Sequence, residues 1–199
     1  AYMKKILVML CTLVAVFMFN GNAYANDEVS KQKAIDWEIS MMPKPTAEEV
    51  EAARWSVVVE NDLGVYAYDM GSLDFALDKN DQYDRNIVNV LVKTVFTNKD
   101  VLKKLKQDYS EKLEGKEKVL YCKMEMQYKM QEKTYTVKTM QVFTNKDRQI
   151  DEKKNKNKFA PIPEKSFAEA LYEVCQKFVA DVEAYERAAQ EQAAQEANK

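Results

Sequence analysis

The chain has 199 residues, of which 30 are basic and 32 acidic, and its formal net charge at pH 7 is −2. This balance argues against a nucleic-acid-binding protein, which would carry a clear excess of basic residues. The sequence contains no histidine, which excludes histidine-based acid–base catalysis, nucleophiles activated by histidine, and imidazole metal sites. We therefore predict that the protein is not an enzyme and has no catalytic, cofactor-binding or metal-binding residues. An enzyme that uses carboxylates alone is the catalytic alternative, and its paired acids could be recognised only from their proximity in space.

Residues 1–25 have the features of a leader remnant and a secretory signal peptide. Residues 3–5 form a short basic start, and residues 6–19 form an apolar run that only one threonine interrupts. The small-x-small pattern that ends at Ala25 predicts cleavage between Ala25 and Asn26. The apolar run is shorter than the roughly 20 residues of a membrane-spanning helix, which disfavours an uncleaved anchor. We expect an exported protein, in the periplasm or at the cell surface, with no integral membrane segment after cleavage.

A polar lead-in segment over residues 26–54 comes next, and it contains a Thr-Ala-Glu-Glu capping box near its end. The capping box predicts a short helix towards Arg54, although a polar linker would match the pattern equally well. From Trp55 the pattern changes to that of strands, and a cluster of the turn-forming residues Asn, Asp and Gly predicts a hairpin. An Asp- and Asn-rich loop is expected over residues 69–86. A valine-rich strand and a charged helix follow it.

Residues 120–130 alternate most clearly between apolar and polar side chains, which predicts a strand of an antiparallel sheet covered on one side. A tight connection leads to a second strand over residues 134–143, and we expect a lysine-rich loop over residues 147–158. A Ser-Phe-Ala-Glu capping box at residues 166–169 opens a helix with one apolar face. The Ala/Gln/Glu-rich tail over residues 187–199 favours helix but has no apolar stripe, so we expect it to project and fray. The fold class is therefore α+β, an antiparallel sheet covered on one face by a C-terminal α-helix.

Two cysteines, Cys122 and Cys175, remain once the signal peptide is removed. Cys122 lies on the apolar face of its strand and Cys175 on the apolar face of the last helix, so each should point towards the other's element. In an oxidising compartment such a pair is expected to form a disulfide. The bridge would staple the helix to the sheet and contribute about 4 kcal/mol in the chain-entropy model. Two buried free thiols are the alternative.

Three further patterns have both a functional and a structural interpretation. The hexapeptide Val-Phe-Thr-Asn-Lys-Asp occurs at residues 95–100 and again at residues 142–147. It is either a duplicated binding surface or, as we favour, two strand ends with the same exit chemistry. Five Asp and Asn residues between positions 74 and 84 suggest a calcium site, but their spacing does not match an EF-hand loop. The tyrosines and methionines of the strands could form an adhesive surface, although core packing explains their spacing better.

Several short motifs follow one another along the chain in an order that is typical of one family of exported domains. Trp55 opens a strand, Tyr-Ala-Tyr-Asp-Met-Gly-Ser follows at residues 66–72, and a valine-rich strand lies around residues 88–92. After a cysteine-bearing strand, Phe-Ala-Pro-Ile-Pro-Glu-Lys-Ser leads into a helix that carries Leu-Tyr-Glu-Val-Cys, all within residues 159–175. In these features the chain resembles the surface-adhesin protein E family of exported bacterial domains, over about residues 55–178. The resemblance implies an antiparallel sheet packed on a C-terminal helix, bridged cysteines, and a domain that binds proteins rather than converting substrates.

We divide the exported chain into the lead-in segment, a protein E-like domain over residues 55–186, and the tail. The domain is predicted to be an exported, non-enzymatic protein-binding module, and a surface adhesin for host or matrix proteins is its most specific form. The alternative is a periplasmic structural or assembly factor that docks a partner through its C-terminal helix. The expected partner is a protein and not a nucleic acid. The resemblance supplies no ligand-contacting residues.

Overall fold

The structure is a computed structural model that describes residues 45–155 and 158–197. The predicted signal peptide, its cleavage position between Ala25 and Asn26, and most of the lead-in segment lie outside the described residues. In the described part of the chain the elements follow in this order: α1 (Ala47–Arg54), β1 (Trp55–Asn61), β2 (Gly64–Asp69), a 3₁₀ turn (Met70–Ser72), β3 (Asp74–Leu77), β4 (Tyr83–Phe96), α2 (Lys99–Asp108), a second 3₁₀ turn (Ser110–Lys112), β5 (Val119–Lys129), β6 (Thr134–Thr144), β7 (Gln149–Lys154), β8 (Ala160–Pro161) and α3 (Phe167–Ala197).

Helix α1 begins with the predicted capping box. The Thr46 hydroxyl accepts a hydrogen bond from the Glu49 backbone N–H at 3.2 Å, and the Glu49 carboxylate accepts one from the Thr46 backbone N–H at 2.7 Å. These bonds satisfy N–H groups that the start of a helix leaves without a partner. The predicted short helix is therefore confirmed, and the alternative of a polar linker is wrong. None of the residues of α1 is buried, so the helix lies on the surface of the domain.

The described strands form one eight-stranded sheet in which all pairs are antiparallel, as predicted. The strand order is β1-β2-β4-β5-β6-β7, with β3 paired to β4 and β8 paired to β6. Successive side chains of a strand point to opposite sides, so the sheet has two faces. We call the face that α3 covers the helix face and the other the open face.

Two segments that the sequence predicted as loops contain strands. Residues 69–86 include β3 and the start of β4, and the turn between them is closed by a hydrogen bond from the Asp78 N–H to the Gln82 carbonyl at 2.8 Å. Residues 147–158 include β7, which pairs with β6 at the edge of the sheet. Both predictions were wrong for the same reason. Charged side chains are tolerated on exposed edge strands, where lysine also discourages pairing with other chains.

The helix face carries the main hydrophobic core. Helix α3 packs on the sheet through Phe167, Leu171 and Tyr172, all of which are buried. The Phe167 ring stacks on Tyr66 of β2 with a centroid distance of 4.9 Å. The buried sheet residues beneath the helix alternate along their strands: Val88, Val90 and Val92 in β4, and Cys122, Met124, Met126 and Tyr128 in β5. This arrangement confirms an α+β fold in which a C-terminal helix covers one face of an antiparallel sheet.

Helix α2 covers one end of the same face. Leu105 and Tyr109 pack on Val119 and Val142 in a second, smaller cluster. The Tyr109 hydroxyl donates a hydrogen bond to the Asp151 carboxylate at 3.2 Å, which connects α2 to the edge strand β7. Both large helices of the described chain therefore pack on the helix face.

The predicted Cys122–Cys175 bridge is not present in this structure, in which both residues are free and buried thiols. Each residue does lie on the apolar face where the sequence placed it. Cys122 occupies the part of the sheet where Tyr66 stacks on Phe167, at the beginning of α3. Cys175 lies eight residues after Phe167 in α3, about two helical turns or roughly 12 Å further along the helix, whereas a disulfide requires Cα atoms within about 7 Å.

Helix α3 continues beyond the sheet. It has 31 residues, and the last contact with the hydrophobic core is made by Val182. Just beyond, Glu186 forms an ion pair with Arg85 of β4 at 2.6 Å, while Tyr185 is 76% exposed. The described part of the tail is therefore helical through Ala197, as its composition favoured, and the expected fraying is not seen there.

Candidate protein-binding surface on the open face

Five residues from four strands meet at the centre of the open face. They are Trp55 of β1, Lys93 of β4, Tyr121 and Lys123 of β5, and Phe143 of β6. We call this group the lysine–aromatic platform. Lys93 and Lys123 are direct partners in the β4–β5 register, so their side chains leave the sheet next to each other. The register of the sheet thereby creates the platform from residues that are far apart in sequence.

Each lysine of the platform lies over two aromatic rings. The Lys93 Nζ is 4.7 Å from the centroid of Tyr121 and 5.4 Å from that of Trp55. The Lys123 Nζ is 5.5 Å from the centroid of Phe143 and 5.7 Å from that of Trp55. These distances lie within the range of cation–π attraction. The rings also order one another, because Tyr121 and Phe143 are stacked at 4.8 Å and 7°.

The two lysines of the platform form no close ion pair within the described part of the chain, although the charge of Lys123 acts on the buried carboxylate of Asp69 and contributes to the lowered pKa of that group. Neither Lys93 nor Lys123 forms an ion pair there, and like charges on directly opposite strand positions repel each other. The nearby carboxylates have other partners. Glu51 accepts a hydrogen bond from the Trp55 indole N–H at 2.9 Å, and Asp147 accepts one from the Tyr121 hydroxyl at 3.0 Å. Two half-buried lysines thus lie on an aromatic surface in which Trp55 and Phe143 are partly exposed and Tyr121 is buried.

A buried carboxylate at the edge of the platform holds α1 against the sheet. The Asp69 side chain has no exposed surface, and its Oδ2 accepts a hydrogen bond from the Arg54 Nε at 2.6 Å. The Arg54 guanidinium is the main reason why the pKa of Asp69 is lowered. Asp69 also accepts a bond from the Gly71 N–H at 3.0 Å, and its carbonyl accepts one from the Ser72 hydroxyl at 2.7 Å. The turn at residues 69–72 thus fixes Asp69, which in turn holds Arg54 next to Trp55.

The repeated hexapeptide does not form two equivalent surfaces. In the first copy Phe96 packs with the clusters of the helix face, whereas in the second copy Phe143 belongs to the platform on the open face. The asparagines also differ. Asn98 caps α2 by accepting bonds from two backbone N–H groups, and Asn145 accepts a bond from the Lys118 N–H in the turn after β6. Both copies end a strand, which supports the structural interpretation.

The Asp-rich segment forms a turn held by its own side chains. The Asp78 carboxylate accepts hydrogen bonds from the backbone N–H groups of Asn80 and Gln82 at 2.7 and 3.0 Å. Within residues 45–155 and 158–197, no group of three or more Asp, Glu, Cys or His side chains is arranged to hold a metal ion. No helix of that part of the chain has the length and apolarity needed to cross a membrane.

Most of the strand tyrosines and methionines serve the core, as the sequence analysis favoured. Tyr66, Tyr128 and the methionines of β5 are buried in the main cluster. Two strand tyrosines do not belong to this core: Tyr121 lies on the open face and in the platform, and Tyr83 at the start of β4 is 59% exposed. The sequence showed that face of β5 only as a polar one. The platform could not be recognised there, because its two lysines become neighbours only through the β4–β5 register.

Comparisons of the chain with protein-family models, with curated proteins and with solved structures found no match.

Proposed function

We propose that the protein is an exported, non-enzymatic module that binds another protein through the open face of its sheet. The observation that carries the proposal is the difference between the two faces. The helix face is covered by α2 and α3, while the open face carries the lysine–aromatic platform with two lysines that form no close ion pair in the described chain. Tryptophan and tyrosine often dominate the binding energy of protein interfaces. A cluster of aromatic rings and unpaired charges is therefore a suitable docking surface.

The chemistry of the described chain favours binding over catalysis. The sequence has no histidine, and both cysteines are poor nucleophiles. Burial raises the pKa of the Cys122 thiol to about 12 and that of the Cys175 thiol to about 12, whereas the reactive form of cysteine is the thiolate. A Cys122–Cys175 bridge is not part of the proposal, because the two residues lie at different levels of the sheet.

Export is inferred from residues 1–25, and surface adhesion from the resemblance to the protein E family. Protease treatment of intact cells, compared with osmotic-shock fractions, tests both points. Cleavage in intact cells is expected for a surface adhesin. Protection until the outer layer is opened would indicate a periplasmic protein, and retention in the cytoplasm would contradict export.

A second candidate is a periplasmic structural or assembly factor that docks a partner through α3. The observation in its favour is the exposed part of that helix beyond Val182, which includes the largely exposed Tyr185. Amphipathic and projecting helices are a common mode of partner recognition. Deletion of the residues after Arg187 should abolish capture of that partner and leave the stability of the domain unchanged.

Site-specific photo-crosslinking in the native cells distinguishes the two candidates. A crosslinking residue replaces Glu125 on the open face in one variant and Gln192 on the projecting helix in another. A matched control carries it at the exposed Lys103 of α2. Protein adducts from position 125 alone are expected for the first proposal. Adducts from position 192 alone would favour the second candidate, and the absence of adducts at both positions would contradict protein binding.

A further inference from the structure

We infer that the lysine–aromatic platform binds carboxylate side chains of an acidic peptide segment in the partner protein. The inference rests on the proposed function, because it names the chemistry of a partner on the open face. It is carried by three features of the platform: the adjacency of two ammonium groups, the aromatic rings that surround them, and the lack of an ion pair to either lysine in the described chain.

The adjacency of Lys93 and Lys123 is the first step. Directly opposite residues of an antiparallel pair have Cβ atoms about 5 Å apart, so two flexible ammonium groups there can approach the same carboxylate or two neighbouring ones. The two like charges repel each other, and the one carboxylate known to act on Lys123, that of Asp69, is already paired with Arg54. An incoming carboxylate converts that repulsion into two attractions. Binding of an anion to this surface is therefore electrostatically favourable.

The aromatic rings are the second step. Trp55 lies near both ammonium groups, and the stacked pair of Tyr121 and Phe143 lies on the other side of them. Rings on both sides reduce access of water to the lysines, and a charge-assisted hydrogen bond is stronger where water is displaced. The rings also offer apolar area to the stems of glutamate or aspartate side chains. A peptide uses both features, whereas a bare ion uses only the charge.

The surroundings favour separated carboxylates over a polyanion. The platform is bordered on its own face by Glu125, the next open-face residue of β5, and by Glu152, which accepts a hydrogen bond from Gln141 at 3.2 Å. A nucleic acid, with a charge at every step of its backbone, would meet these carboxylates. A peptide can place a neutral residue opposite each of them. The net charge of −2 also provides no general attraction for a polyanion.

Fluorescence of Trp55 supplies a direct assay. The chain has two tryptophans, so the substitution Trp37→Phe leaves Trp55 as the only one. The probe is a short synthetic peptide in which glutamate alternates with serine, and the matched peptide has glutamine in place of glutamate. We expect the glutamate peptide to change the Trp55 fluorescence in a saturable way that weakens with added NaCl. The glutamine peptide should have no such effect.

The variants assign the binding to the two lysines. The double substitution K93Q/K123Q should weaken binding of the glutamate peptide by at least about tenfold. The double substitution K103Q/K106Q removes the same charge from exposed positions of α2 and should leave the affinity unchanged. K93R/K123R, which keeps both charges, should retain binding. Urea unfolding of each variant confirms that the fold is intact, which we expect because both platform lysines are half-exposed.

Several results would overturn the inference. One is equal affinity of the glutamate peptide for the unsubstituted protein and for K93Q/K123Q. Another is tighter, platform-dependent binding of a single-stranded oligonucleotide than of the peptide. No binding of the glutamate peptide, together with photo-crosslinks from position 125, would refute the acidic ligand and leave the proposed function standing. Peptide binding without any photo-crosslink would instead refute the proposed function.

Discussion

The hydroxyl of Tyr128 offers a sharp test of the core, because it is buried without a hydrogen-bond partner among the described residues. The side chain has no exposed surface, and its ring lies 6.0 Å from that of Tyr135 and 6.3 Å from that of Tyr172. An unsatisfied buried hydroxyl costs about 1–3 kcal/mol. The substitution Tyr128→Phe removes this cost and keeps the packed ring, while the small void that it leaves costs less. We expect the free energy of unfolding to rise by about 1 kcal/mol.

The matched control is the same substitution at Tyr172, in the same aromatic cluster. The Tyr172 hydroxyl donates a hydrogen bond to the Met130 carbonyl at 2.8 Å, so Tyr172→Phe leaves that carbonyl without its partner. This variant should lose about 1 kcal/mol, so the two variants should differ by about 2 kcal/mol. Urea unfolding followed by circular dichroism measures both as shifts of the midpoint at constant m value. If Tyr128→Phe is destabilised as much as Tyr172→Phe, the Tyr128 hydroxyl has a partner and the reasoning is wrong.

Three other predictions concern pH, the cysteines and a glycine. Arg148 donates hydrogen bonds to both carboxylate oxygens of the buried Glu117 at 3.2 Å and lowers the pKa of that group from 4.5 to about 2. The paired carboxylate therefore stabilises the fold above pH 4.5, and this contribution disappears as the pH falls towards 2. Glu117→Gln should flatten the dependence of stability on pH in that interval, and an unchanged slope in urea titrations would contradict the assignment. Without reductant, both buried cysteines should resist a thiol reagent in the folded domain and react after unfolding; thiols that stay unreactive in the unfolded chain would indicate a disulfide. In Gly64→Ala the new Cβ would overlap the backbone oxygen of the neighbouring strand, and we expect a loss of about 2 kcal/mol or more. Gly71→Ala, whose Cβ would have its nearest neighbour at 3.5 Å, is the control that should change little in the same urea assay.

The elements of the fold could be predicted where one local pattern dominated. The alternation along β5 and the capping box before α1 depend on neighbours a few residues away, and the structure confirms both. Before α3 the Ser166 hydroxyl caps the Glu169 N–H as predicted, but the Glu169 carboxylate accepts its hydrogen bond from the Lys165 N–H and not from that of Ser166. The edge strand β7 was missed because its lysine-rich composition is equally typical of a solvated loop. A lysine-rich composition indicates that a segment is exposed to solvent. It does not distinguish an exposed strand from an exposed loop, because both have this composition.

The relative positions of residues on elements that are distant along the chain could not be predicted from the sequence. The periodicity placed Cys122 and Cys175 on facing apolar surfaces, which was correct, but it contained no information on their levels along the sheet. That level is set by the packing of Phe167 on Tyr66 and by the direction of α3. The platform was missed for the same reason, since the pairing of Lys93 with Lys123 is a property of the register. A local sequence pattern indicates on which face of the sheet a side chain lies. To predict a site, one also needs to know where on that face each side chain lies relative to the others.

The separation of the two faces allows binding and stability to be examined independently. Lys123 belongs to the platform and the next residue, Met124, belongs to the core, because neighbouring side chains of a strand point to opposite sides of the sheet. The core is formed by apolar contacts that do not involve the lysines, so the repulsion between Lys93 and Lys123 can be kept at a modest cost to folding. Cation–π contacts with the rings of the platform and the charge of Asp69 offset this repulsion in the free domain, and an anionic ligand would offset it further. For this reason substitutions of the lysines should alter binding far more than they alter unfolding.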